Sequence, residues 1–279
     1  MKREIMNMNK LFLQNPMVAA AIVAMWSMNG ACLGFAQESA PRAFQSPAEA
    51  SQTLFQAVQR NDGESVVKIL GGPSELASSG DASQDRLDRN MFAQKYQEMH
   101  RLGRDTDGSE SLYIGAENWP FPIPLVEKNG AWQFDSVAGL KEVLFRRIGE
   151  NELTAIETCH ALVAAERQFR ASPKTASLAD SPLASLLSAS ASESSSAEPV
   201  LIQGYYFRIL ENRRTEGKTA DGFGFVAYPA EYRSSGVMTF IVMQNDVVKE
   251  KDLGTNTSAA ASALAGPPKE LDWVPSDEK

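Results

Sequence analysis

The sequence predicts an α+β protein of two small modules, each with helices packed on an antiparallel sheet, behind a cleaved amino-terminal signal peptide. Three observations predict it. Residues 46–102 carry cap signals followed by apolar residues at helical spacing. Residues 111–135 and 201–252 carry short alternating runs separated by turn residues. Residues 17–36 form an apolar run that ends in small residues.

At the amino terminus, Lys2, Arg3 and Lys10 precede the apolar stretch Met17–Trp26, which is too short to span a bilayer. Gly34-Phe35-Ala36 then presents small residues around a large one. The expectation is a signal peptide over residues 1–36, cleaved after Ala36. A second reading attaches lipid at Cys32, which follows Gly30-Ala31.

The first module is expected over residues 44–148. Ser46-Pro47-Ala48-Glu49 reads as a serine cap, a proline at the first helical position and an acid three residues after the cap. Ala50, Leu54, Ala57 and Val58 share one face of that helix, and Asn61-Asp62-Gly63 ends it. A short helix is expected over residues 64–70, stopped by Gly71-Gly72, and a third over residues 82–102. Strands follow at 111–116, 121–127 and 131–135, the last two joined by Asn129-Gly130, a strong hairpin signal. Prolines at 120, 122 and 124 remove amide donors, so that segment lies at an edge or is only partly paired. A helix over 137–147 closes the module.

The second module is expected over residues 149–254. Asn151 reads as the cap of a helix with Ile156, Cys159, Leu162 and Val163 on its apolar side. Ten serines between Ser172 and Ser196 mark residues 171–199 as a loop that cannot bury enough apolar surface to order itself. Strands are expected at 201–210, 222–228, 236–243 and 247–252, with a turn at Gln244-Asn245-Asp246. Residues 255–279 are expected to be a surface tail, Trp273 apart.

The chain carries 27 Lys and Arg against 35 Asp and Glu, net −8. Removing residues 1–36 would take away three cations and one anion, which makes the rest more acidic by two charges. That balance argues against nucleic acid or anionic lipid as partners, since both recruit clustered cations. Only Cys32 and Cys159 are present, and cleavage removes the first, so no internal disulfide is expected. No later apolar run reaches membrane-spanning length.

Several stretches carry a resemblance. They are Trp119-Pro120-Phe121-Pro122-Ile123-Pro124-Leu125-Val126, Gly130-Ala131-Trp132-Gln133-Phe134-Asp135, and Arg147-Ile148-Gly149-Glu150-Asn151-Glu152-Leu153. Gly204 to Leu210, Gly224 to Tyr232 and Ser235 to Phe240 complete the set. Together they resemble the bacterial secreted domain-of-unknown-function family 2950. The resemblance implies a secreted bacterial protein and no particular activity. This chain departs from the family in the middle, where members usually carry a longer segment. The first half also resembles the nuclear-transport-factor-2-like or cystatin-like cone fold. The second half resembles the globular part of a type IV pilin or pseudopilin.

Chemistry-bearing groups are few. Only His100 and His160 occur, without metal-ligand spacing, so no metal or other cofactor is expected. Cys159 and His160 are helical neighbours about 100° apart and cannot act as a thiolate–imidazole pair. Cys159 reads as core. Asp105-Thr106-Asp107-Gly108 lacks acids at the calcium-loop positions and reads as an acidic turn. Trp119, Phe121, Tyr205, Tyr206, Arg208, Glu231 and Tyr232 are the candidates for a binding groove, with Arg208 and Glu231 as an internal ion pair. The expected function is a non-catalytic envelope protein that binds another protein or a cell-wall component. The alternative is a hydrolase with a carboxylate pocket in the first module, built from Asp81, Asp85 or Glu98.

Overall fold

Local signals set the first helices. In the computed structural model, which describes residues 41–171, 199–211, 223–264 and 272–276, helix α1 (Pro47–Gln59) starts where the serine cap places it. Ser46 Oγ accepts from Glu49 N at 3.2 Å, while the Glu49 carboxylate accepts from Gln45 N at 2.8 Å, one residue beyond the cap itself. Helix α2 (Gly63–Leu70) is capped by Asp62, which accepts from Ser65 N at 3.0 Å. Helix α3 (Ala82–Glu98) is capped by Asp81, which accepts from Ser83 N and Gln84 N. The signal-peptide segment and the Ser-rich stretch at 172–198 lie outside the described residues.

The chain divides into two compact units, Met1–Phe145 and Arg146–Lys279. In the first, helices α1 to α3 cover one face of an antiparallel sheet. Its strands are β1 (His100–Arg104), β2 (Glu110–Ile114), β3 (Trp119–Pro120), β4 (Leu125–Lys128) and β5 (Ala131–Phe134), ordered β1-β2-β4-β5 with β3 also on β2. Leu54, Ile69, Leu112, Ile114, Leu125 and Phe134 are almost fully buried between the layers. Each such side chain contributes roughly 1.5–3 kcal/mol by leaving water.

Two readings of this unit need correction. The third helix was expected to reach residue 102, but it stops at Glu98 and β1 begins at His100. The reason is non-local: Gly115 N donates to both Lys95 O and Met99 O, drawing the chain into a ladder with β2. The strand expected over 121–127 is not whole, though it is only partly paired, as its prolines predict. It is split into β3 and β4, with Phe121 N donating to Leu112 O between them. The hairpin turn at Asn129-Gly130 has positive φ at both residues (56° and 78°), as a two-residue hairpin requires.

Helix α4 runs unbroken over Ser136–Ala171, across the boundary between the units. The sequence suggested two helices with Asn151 capping the second. Asn151 is instead interior and 8% exposed, and its amide reaches a distant carbonyl. A glycine in a helix costs about 1 kcal/mol, so Gly149 weakens the helix without ending it.

In the second unit, β6 (Val200–Ile202), β7 (Tyr205–Glu211), β8 (Phe223–Pro229), β9 (Met238–Met243), β10 (Val248–Asp252) and β11 (Val274–Pro275) form one antiparallel sheet in that order. The single strand expected over 201–210 is two, folded at Gln203-Gly204, where φ is 46° and 76°. Ala155, Cys159, Leu162 and Val163 of α4 pack on one sheet face against Tyr205, Phe225 and Phe240. The other face meets Ala261, from helix α5 (Thr257–Ala263), and Trp273. Trp273 is inward, as expected, but Thr257 and Ala261 of the expected surface tail are also buried, so α5 belongs to a covering layer. This explains why all seven residues of β8 are buried.

One close contact gives a test. A Cβ on Gly139 would lie 2.6 Å from Ile123 Cγ1. Helix propensity alone favours alanine there by about 1 kcal/mol. Gly139→Ala is nonetheless expected to lose about 1–3 kcal/mol in urea denaturation, through overpacking against Ile123. A gain in stability would contradict the contact.

Candidate functional site

A cluster of long-range polar contacts lies in the second unit, where α4 meets the loop of residues 230–237 between β8 and β9. The loop has its own internal bonds. Arg233 N donates to Gly236 O at 2.7 Å, and Ser234 N and Ser235 N both donate to Glu231 O. Ser235 Oγ accepts from Glu231 N and donates to Glu231 O. Arg233 sits at φ 63°, a left-handed conformation that a non-glycine residue adopts only when its surroundings hold it.

Those surroundings come from α4 and β7. Asn151 Nδ2 donates to Ser235 O at 2.8 Å. Glu152 Oε1 accepts from Val237 N at 2.9 Å and from Met238 N at 3.0 Å, so a carboxylate satisfies the two amides at the start of β9. The Tyr205 hydroxyl donates to Met238 O at 2.9 Å from a fully buried ring. Burial raises the Tyr205 hydroxyl pKa, and the nearby Glu152 carboxylate adds to the effect. Tyr205 therefore stays a neutral donor. The fit leaves no room at Gly236, where a Cβ would lie 2.0 Å from the Tyr205 oxygen. At Gly204 a Cβ would lie 3.0 Å from Asn151 Nδ2.

The outer surface of the loop is open. Glu231 and Arg233 are exposed. Tyr232 donates to Asp252 Oδ2 at 3.1 Å, and the Arg233 guanidinium lies 5.3 Å from the Tyr232 ring centre. On α4, Arg147 and Glu150 are half-buried, and Arg147 Nε and Glu150 Oε1 have no hydrogen-bond partner among the described residues. Burial pulls the Arg147 pKa down, opposed by the charge of Glu231. Burial pushes the Glu150 carboxyl from 4.5 up to about 7, opposed by Arg146.

The seven groove candidates divide between the two units and, in the second, between the two faces of its sheet. Trp119 and Phe121 belong to the first unit, where Trp119 lies opposite Ile114 and Phe121 packs edge-on to Phe92 and Phe134. Tyr205 and Tyr206 face opposite sides of β7. Tyr206 pairs with Tyr228, ring centres 5.7 Å apart. Arg208 is not paired with Glu231. It donates to Ala261 O and Leu264 O, a cation at the carboxyl end of α5. Tyr205, Glu231 and Tyr232 do come together, at the loop. Sequence reasoning missed Arg147, Glu150, Asn151 and Glu152 as a set, because they read as a helix boundary.

The other reactive groups have structural partners. Cys159 is fully buried, which pushes its thiol up to about 12. His160 Nδ1 lies 2.8 Å from Asp246 Oδ1. Burial opposes ionisation of Asp85, but hydrogen bonds from Ser78 and Ser79 outweigh it and hold the carboxyl below its usual range. Asp81 caps α3, and Glu98 pairs with Lys95 at 3.4 Å. Among the described residues, no group of three or more metal-binding side chains converges, and no helix is long and apolar enough to cross a membrane.

A family profile described as "Protein of unknown function (DUF2950)" matches residues 41–179 and 172–273. No curated protein and no solved structure matches the chain. The likenesses of the two halves to the cone fold and to pilins rest on sequence alone.

Glu150 provides a pH test. Its folded-state pKa is raised, so the fold keeps a proton that the unfolded chain has already released. Stability should therefore fall as pH rises from 4.5 to about 7, and stay at the lower level above that. Glu150→Gln removes this titration. Its urea midpoint relative to wild type is expected to rise across the same window. A difference that is equal at pH 4.5 and at about pH 8 would show that Glu150 does not titrate this way.

Proposed function

The chain belongs to the DUF2950 family, whose description carries no activity, and we propose that it is an exported, non-catalytic envelope protein that binds through the loop of residues 230–237. The partner is a protein or a cell-wall component. One observation carries this reading. The loop is exposed at Glu231 and Arg233, yet Asn151, Glu152 and Tyr205 hold its backbone from beneath. A preformed surface loop loses little conformational entropy on binding. It displays an acid, an aromatic ring and a guanidinium side by side, and Tyr and Arg dominate the strongest contacts of protein interfaces.

Export rests on the sequence: the cations at Lys2 and Arg3, the apolar run and Gly34-Phe35-Ala36. Cys32 remains the point at which a lipid anchor would attach instead. Amino-terminal sequencing of the exported protein is expected to begin at Gln37, and a chain that still begins at Met1 refutes cleavage. The hydrolase reading has less support. Asp81 and Asp85 are taken up by helix-capping and loop bonds, and Glu98 by a surface pair.

The test uses the mature protein and a Tyr232→Ala/Arg233→Ala variant, both immobilised and exposed to envelope extract and to purified cell-wall polymer. Both should melt at similar temperatures, because the variant loses only one exposed hydrogen bond, from Tyr232 to Asp252. Retention of the partner should fall about tenfold or more in the variant, as expected when aromatic and guanidinium anchors are truncated. Equal retention by the two proteins would remove the loop from binding.

A further inference from the structure

Strand β1 ends the first unit's sheet, and its register shows which of its backbone groups are unused. Gly115 N donates to Met99 O and Asp105 N donates to Ser109 O, each at 2.9 Å. In an antiparallel pair such hydrogen-bonded positions alternate with non-bonded ones. Met99, Arg101, Gly103 and Asp105 therefore direct their backbone groups to β2. His100, Leu102 and Arg104 direct theirs to the outer edge, where no strand pairs with β1 among the described residues. The ladder is continuous over five residue pairs, with no proline and no bulge in β1, so that edge is straight. Edges of this kind accept a further strand unless something blocks them.

We infer that β1 docks an extended, acidic segment of a partner protein, which joins the sheet as an added antiparallel strand. The side chains decide the occupant. Arg101, Arg104 and His100 are exposed, and β1 carries no acid of its own. A second copy of β1 laid antiparallel and centred on Leu102 would set the two Arg101 side chains on one diagonal and bring no acid opposite Arg104. Same-sign neighbours across strands are unfavourable, whereas carboxylates there are favourable. Arg101 is already oriented: its Nε donates to Asn118 Oδ1 at 2.7 Å, and its guanidinium lies 4.0 Å from the Tyr113 ring centre.

Gly103 adds shape. A Cβ there would lie 2.9 Å from Tyr113 Cε2, so the Tyr113 ring crosses β1 at the glycine. An incoming strand meets an aromatic surface at this point rather than a β-carbon. Arg101 and Gly103 share one face of β1, and Leu102 and Arg104 the other, so the segment that fits carries acids opposite Arg101 and Arg104 and two apolar residues between them, opposite Leu102 and Gly103. This inference shares with the proposed function only the premise that the protein has a protein partner. The loop of residues 230–237 takes no part in it.

The test uses the full mature chain and a short peptide containing Glu-Val-Val-Glu, with one containing Lys-Val-Val-Lys as control. The valine–glutamate peptide is expected to slow amide exchange at residues 100, 102 and 104, and to bind more weakly as salt is raised. Arg104→Pro removes an amide that the β1–β2 ladder does not use, so its melting temperature should stay close to wild type. Its peptide affinity should fall about tenfold, and Arg104→Gln, which keeps the amide, should fall less. His100→Pro repeats the experiment at a second outward amide should Arg104→Pro not fold. Tyr232→Ala/Arg233→Ala should bind the peptide as wild type does, which separates this edge from the loop. Failure of the acidic peptide to bind, equal binding of the lysine peptide, undiminished binding to both proline variants, or self-association through β1 would each overturn the inference.

Discussion

The carboxylate of Glu152 accepts two consecutive amides at the point where the loop of residues 230–237 becomes β9. Those amides open a strand whose centre, Phe240 to Val242, lies in the core of the second unit. Buried amides without acceptors would cost about 1–3 kcal/mol each. A carboxylate on a helix answers both with charge-assisted bonds and so ties α4 to the sheet at a fixed height. Cys159 and Val163 follow Glu152 along α4 at helical spacing and drop into the apolar layer against Tyr205 and Phe240. The loop's shape, the buried tyrosine donor and the close approaches at Gly204 and Gly236 all depend on that placement.

What the sequence made legible follows from the range of each interaction. The caps at Ser46, Asp62 and Asp81 involve neighbours two to four residues away, and so does the Asn129-Gly130 turn. Such features are written in consecutive residues. The α+β class followed from periodicity, and the core role of Cys159 from its helical face. The site was less legible. Asn151 and Glu152 bond to residues 84 to 86 positions away. Locally, Gly149 and Asn151 look like a helix break, and only the distant loop explains why the helix continues through them. Strand β1 was hidden for a similar reason: its partner is β2, and nothing within 99–104 departs clearly from a helical pattern. The role of α5 beside Trp273 was hidden by composition, since an alanine-rich stretch acquires its role only against the far face of the sheet.

In the second unit the aromatic candidates divide because strand residues alternate. Tyr205 and Tyr206 are adjacent in sequence and lie on opposite faces of one sheet, each in a different apolar layer. Arg208 then serves the helix packed on its own face rather than a ligand. What remains of the candidate set, Tyr205, Glu231 and Tyr232, divides by depth. The first supports the loop from below, and the other two are presented by it.

The central claim is that α4 fixes an exposed loop in one shape. Amide hydrogen exchange at Val237 and Met238, compared between wild type and Glu152→Ala, addresses it most directly. The account predicts that both amides are protected in the wild type and exchange at least about tenfold faster in the variant, while amides of β7 and β8 keep their protection. Unchanged protection at Val237 and Met238 would contradict it, because the loop's shape would then not depend on the Glu152 carboxylate.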